Sequence, residues 1–145
     1  MRPNSRSRGT GFTLLFALSI LALTGCSNSA TSPSKNPPHY VEFAPVIAGV
    51  ELPGTVHAGD TVEGQVTIGL SGCDQALLPV LESVTPTHFR VRVRASTLVG
   101  DEVVCIAWAG TAQVPFEVVA LNQGVLTIDI VGKDTRRETV QVLPR

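Results

Sequence analysis

The densest chemistry in the chain lies in "HFRVRVRA", which sets His88, Arg90, Arg92 and Arg94 at alternate positions. In an extended strand alternate side chains project from one face, so these four would form a cationic row about 20 Å long at roughly 3.3 Å per residue. Such a row suits an anionic partner: an acidic glycan, a lipid phosphate or an acidic protein. It equally suits a solvated sheet face on which Glu117 or Asp129 from neighbouring strands supplies cross-strand pairs. Charged rows also protect exposed strand edges, so the paired face is the expected arrangement and the anion-binding face the alternative.

Residues suited to catalysis or metal binding are sparse. "GLSGC", residues 69–73, has the outline of a nucleophile elbow, but Cys73 replaces the final glycine and no helix pattern follows it. His39, His57 and His88 are widely separated, and no C-x-x-C or H-x-x-x-H occurs in the chain, so no metal and no cofactor is expected. "AGD" and "GKD" are turns without the repeated acids of a calcium loop. Asp101-Glu102 is a turn too, since neighbouring strand residues would point to opposite faces. No catalytic residue is assigned, and the chain is not expected to be an enzyme.

"VVCIAWAG" is the second candidate surface. As a strand it is apolar on both sides, with Val103, Cys105 and Ala107 on one and Val104, Ile106 and Trp108 on the other. Either it is a central strand covered on both faces, or Ile106 and Trp108 form an exposed apolar patch. Core placement is the expectation. One Trp and one Tyr do not furnish the aromatic platform of a dedicated sugar binder.

The elements that must position these residues are strands, because every strong periodic signal from residue 40 onward has period two. "TVEGQVTI" places Val62, Gly64, Val66 and Ile68 on one face and Glu63, Gln65 and Thr67 on the other. "VPFEVVAL", "VLTIDIV" and "ETVQVL" continue the series, with "TAQ", "NQG" and "GKDTRR" as links and Asn122-Gln123-Gly124 as a short hairpin connection. Pro53-Gly54 breaks an early strand and Gly59-Asp60 makes a turn into the next. Pro79 and Pro86 interrupt "QALLPVLESVTPT", which reads as an irregular strand or crossover. These signals predict an all-β fold: a single antiparallel β-sandwich of about seven strands over residues 39–145.

The N-terminus has a different character. "MRPNSRSRG" carries Arg2, Arg6 and Arg8 with no acid and leads into the apolar run Phe12 to Leu23, the pattern of an export signal. That run is about 12 residues, whereas a membrane-spanning helix needs roughly 20. Leu23, Thr24, Gly25 and Cys26 follow in the order aliphatic, small, small, cysteine. This resembles the lipobox of bacterial lipoprotein signal peptides. The resemblance implies removal of residues 1–25, a diacylglyceryl group on the Cys26 thiol, attachment of the protein to a membrane of the bacterial cell envelope, and, through Ser27 in place of Asp, sorting to an outer membrane where two membranes exist. "SNSATSPSKNPP" then holds too little apolar surface to fold, so residues 26–38 read as the lipidated cysteine and a flexible Ser/Pro tether.

Cleavage there leaves 145 − 25 = 120 residues, and loss of three arginines lowers Lys plus Arg from 11 to 8 against 12 Asp plus Glu, a net charge of 8 − 12 = −4. A mildly acidic domain is a poor general nucleic-acid binder, so membrane attachment through lipid and a protein or glycan partner in the envelope are the expected associations. With Cys26 assigned to lipid and the chain exported to a compartment where disulfides persist, Cys73 and Cys105 are expected to pair. "PGTVHAGDTVEGQVTI" and "ALNQGVLTIDIVG" are similar to early and late strands of immunoglobulin-like or fibronectin-type modules, which implies the immunoglobulin-like version of the sandwich and no particular activity. Leu126 or Thr127 stands where such modules often carry a corner tyrosine, and Trp108 follows Cys105 instead of lying between the cysteines. The reading that emerges is a lipid-anchored binding or interaction module, with a structural or assembly accessory as the second reading and a small hydrolase as the third.

Overall fold

Alternation along the strands builds the core. The computed structural model describes residues 35–145, so the expected signal segment, Cys26 and most of the expected tether lie outside the described residues. Nine strands follow in order: β1 His39–Phe43, β2 Ile47–Glu51, β3 Thr55–His57, β4 Thr61–Ser71, β5 Asp74–Thr85, β6 His88–Val99, β7 Ala109–Val119, β8 Gly124–Val131 and β9 Thr135–Leu143. There is no helix among the described residues, and hence none long and apolar enough to cross a membrane.

The strands divide into a three-stranded sheet, β2-β4-β7, and a six-stranded sheet that runs β1-β6-β8-β9-β3 with β5 on the far side of β6. The larger sheet curls into a half-barrel. Strand β6 is its spine. Strand β5 takes one edge of β6, while the other edge is shared by β8, opposite His88–Arg92, and β1, opposite Ala95–Val99. Val62, Val66, Ile68, Val114, Phe116 and Val118 from the small sheet meet Phe89, Val91, Val93, Leu126, Ile128, Ile130, Val140 and Val142 from the large one. Full burial of a side chain of this size contributes about 1.5–3 kcal/mol, so this inner face holds the fold together.

Several expectations need correction. Where about seven strands were expected there are nine among the described residues, and two pairs are parallel: β3 with β9 and β6 with β8. The second arises because β7, between them in sequence, lies in the other sheet, so the chain re-enters the large sheet running as β6 does. For the same reason Asn122-Gln123-Gly124 is not a hairpin; it joins β7 to β8 across the sheets. "TAQ" is not a link but part of β7. "VVCIAWAG" is not a central strand, because β7 begins only at Ala109. The irregularity expected around Pro79 is present: β5 shifts register between Leu77 and Val80 and again between Ser83 and Thr85. Proline is tolerated there because β5 lies at the edge of its sheet.

Candidate functional site

The cationic row is formed as the alternation predicts. Phe89, Val91, Val93 and Ala95 are buried, which turns His88, Arg90, Arg92 and Arg94 to the outer face of the large sheet. Most of that charge is already paired. Glu82 on β5 lies 2.8 Å from Arg92 and 3.6 Å from Arg90, and Glu42 on β1 lies 3.2 Å from Arg94. Arg94 also donates to the Leu78 carbonyl at 3.3 Å, while its buried Nε has no partner among the described residues. Counting Arg137 with the three arginines of the row, four arginines face Glu82, Glu42 and Asp129, which leaves 4 − 3 = +1. Of the two cross-strand partners expected from the sequence, Asp129 is one, through His88. Glu117 is not, because it lies on β7 in the other sheet, directly opposite Glu63.

Asp129 is the electrostatic centre of this face. It sits on β8 between Arg90 of β6 and Arg137 of β9, both in register with it, and is 5% exposed. Arg137 donates twice, from Nε at 2.7 Å and Nη2 at 3.2 Å, and His88 Nε2 donates at 2.8 Å. The Arg137 hydrogen bond, followed by that from His88, outweighs the cost of burial and holds the Asp129 carboxyl down to about 2. The same contact raises the Arg137 guanidinium further above its ordinary value. Fixed donors around a buried carboxylate make a structural clamp across β6, β8 and β9.

The serine of "GLSGC" closes a turn between two strands. Ser71 donates to Asp74 from both its hydroxyl and its amide at 2.7 Å, tying β4 to β5. Partial burial pushes the Asp74 carboxyl up, but the donors on Ser71 and the Thr97 hydroxyl outweigh it and leave it below the usual carboxylate range. The hydroxyl is thus engaged by a carboxylate, and the segment that follows is a strand, not the helix of a nucleophile elbow.

The apolar segment is where the structure departs most from expectation. Val104 is 91% exposed, Ile106 71% and Trp108 49%, so the segment belongs to an open loop between β6 and β7 and the core placement fails. Three features hold this loop. Cys105 is joined to Cys73 of the β4–β5 turn, with Cα atoms 5.2 Å apart. Glycine at 72 and at 110 permits close approach: a Cβ at Gly72 would collide with the Ile106 carbonyl, and one at Gly110 with the Trp108 ring. The Trp108 amide donates to the Ile106 carbonyl at 2.8 Å, closing a tight turn. The result is an apolar projection with a fixed base at one end of the domain.

The opposite sheet holds a feature that strand alternation alone did not single out. Glu51, Glu63 and Glu117 line a shallow groove of about 380 Å³ on the outer face of the small sheet, with Glu63 directly opposite Glu117. None of the three makes an ion pair among the described residues. Among the described residues no group of three or more His, Cys, Asp or Glu is placed to hold a metal ion. The alternation put Glu63 and Glu117 on outer faces, but only the register brings them together.

No protein-family model matches the chain, and neither the curated proteins nor the solved structures contain a match to it.

Proposed function

We propose that this chain is a lipid-anchored interaction module of the bacterial cell envelope, held in the membrane through Cys26, without catalytic activity, and making contact through the loop that carries Val104, Ile106 and Trp108. The basic leader, the short apolar run and the ordered Leu23-Thr24-Gly25-Cys26 support the anchor. One observation carries the contact surface: three large apolar side chains stand exposed on a loop whose base is fixed by a disulfide. Apolar surface costs free energy in water, so a clustered, braced projection is better explained by contact than by spacing alone. A purely structural accessory needs only a polar exterior, which makes it the weaker reading. The arginine row is weaker too, because Arg90 and Arg92 face Glu82 and Arg94 faces Glu42.

In this reading the scaffold is an immunoglobulin-like sandwich, supported by two packed sheets and a disulfide, although the parallel pairing of β6 with β8 departs from the wholly antiparallel form. Two measurements test the proposal. The wild type should enter the detergent phase on phase partitioning and Cys26→Ser should not. Oxidative footprinting should find Trp108 protected in intact envelopes and reactive in the purified protein. Equal partitioning of the two chains refutes the anchor, and equal Trp108 reactivity refutes the contact surface.

A further inference from the structure

The loop of Val104, Ile106 and Trp108 lies beside the point where the chain enters the domain. The Asp101 amide donates to the Asn36 carbonyl at 3.1 Å, and the Asn36 amide donates back to the Asp101 carboxylate at 3.1 Å. Pro38 packs against Gly100, where a Cβ would stand 2.9 Å from the Pro38 Cα. The entering segment is therefore fastened to the β6–β7 link two residues before Val103. The same end of the domain carries Tyr40 on β1, 59% exposed.

Resting on the lipid-anchored reading, we propose that the partner of this loop is the bilayer itself: Val104, Ile106 and Trp108 enter the headgroup region of the membrane that holds Cys26 and seat the domain on it. Asn36 lies only ten positions after Cys26, 36 − 26 = 10. Fully extended, ten steps reach about 35 Å, and as a random chain roughly 18 Å. The fastened end of the domain cannot leave the membrane surface by more than this. The loop consequently meets lipid at an effective concentration on the order of millimolar, where even a small apolar contact is occupied. Tryptophan suits the site, since its apolar ring and N–H donor favour the boundary between hydrocarbon and headgroups. Charge refines the choice of surface. Glu102 precedes the loop and is exposed, so the loop should prefer zwitterionic lipid to anionic lipid. Nothing covalent is required of the loop.

Trp108 is the only tryptophan in the chain, which makes its emission a report on this loop alone. The full lipidated chain, purified in detergent, is reconstituted into phosphatidylcholine vesicles carrying bromine on the acyl chains near the headgroups. The emission should shift to shorter wavelength and be largely quenched by shallow bromines, less by deep ones. Replacing part of the lipid with phosphatidylglycerol should reduce the quenching. Val104→Ser with Ile106→Ser should restore most of the emission while the chain stays vesicle-bound; both side chains are exposed, so folding should survive, and an unchanged near-ultraviolet dichroism spectrum verifies it. Cys26→Ser mixed with the same vesicles should need about 100-fold more lipid for equal quenching, the avidity lost with the anchor. An unquenched Trp108 in a lipidated, vesicle-bound chain overturns the inference and leaves the anchor standing; added envelope protein shifting that emission would mark a protein partner instead. A chain with a free Cys26 thiol overturns the anchor and, with it, the seating of the domain.

Discussion

Asp129→Asn probes the clamp that joins β6, β8 and β9. The wild-type carboxyl is held down from 3.8 to about 2, chiefly by the Arg137 hydrogen bond and then by that from His88. A folded value below the unfolded one adds stability that is complete above the unfolded value and lost as pH falls through the folded one. Holding the carboxyl down this far corresponds to at most about 2 kcal/mol. Only side chains cover the carboxylate on this outer face, so screening lowers the expected figure to about 1–2 kcal/mol. Urea unfolding of both chains near pH 6 should show Asp129→Asn less stable by that amount. Near pH 2 the wild-type carboxyl is about half protonated, and the difference should shrink to a few tenths of a kcal/mol. A difference that is the same at both pH values would mean that the substitution acts through packing, and no difference near pH 6 would mean that the clamp contributes nothing.

Reduction of Cys73–Cys105, which closes 32 residues, should lower stability by roughly 3–4 kcal/mol in thermal or urea unfolding. It should also shift the Trp108 emission, since the base of the loop is released; an unchanged spectrum would mean that the loop is held by other contacts. Changing Arg90, Arg92 and Arg94 together to Gln should cost about 1–2 kcal/mol, because exposed pairs contribute roughly 0–1 kcal/mol each, and should leave envelope protection of Trp108 intact. Loss of that protection in the folded triple variant would move the contact surface to the arginine row.

The strands were legible wherever one face is buried and the other is wet. In β4 and β6 the alternation of Val62, Val66 and Ile68, and of Phe89, Val91 and Val93, fixes both the element and its facing. What alternation cannot encode is which strand lies next door. Hence the sequence named Asp129 as a partner of the cationic row but missed Glu82 and Glu42, which reach it only through the pairing of β5 and β1 with β6. The same blindness made Asn122-Gln123-Gly124 read as a hairpin, since a short polar link looks alike whether it turns within a sheet or crosses to another. Val104, Ile106 and Trp108 were misplaced for a separate reason. Apolar composition signals removal from water, and the expected pairing of Cys73 with Cys105 is compatible with a covered strand or an open loop; only the folded chain, in which β7 begins at Ala109, leaves this segment outside the core.

The anchor is tested most directly by the mass of the N-terminal peptide of the mature protein, isolated from membranes of a lipoprotein-processing bacterium. The account predicts a peptide beginning at Cys26, with residues 1–25 removed and the mass of a diacylglyceryl group and any further acyl chain on that residue. A mature chain beginning elsewhere, or an unmodified thiol at Cys26 in membrane-derived protein, would contradict it.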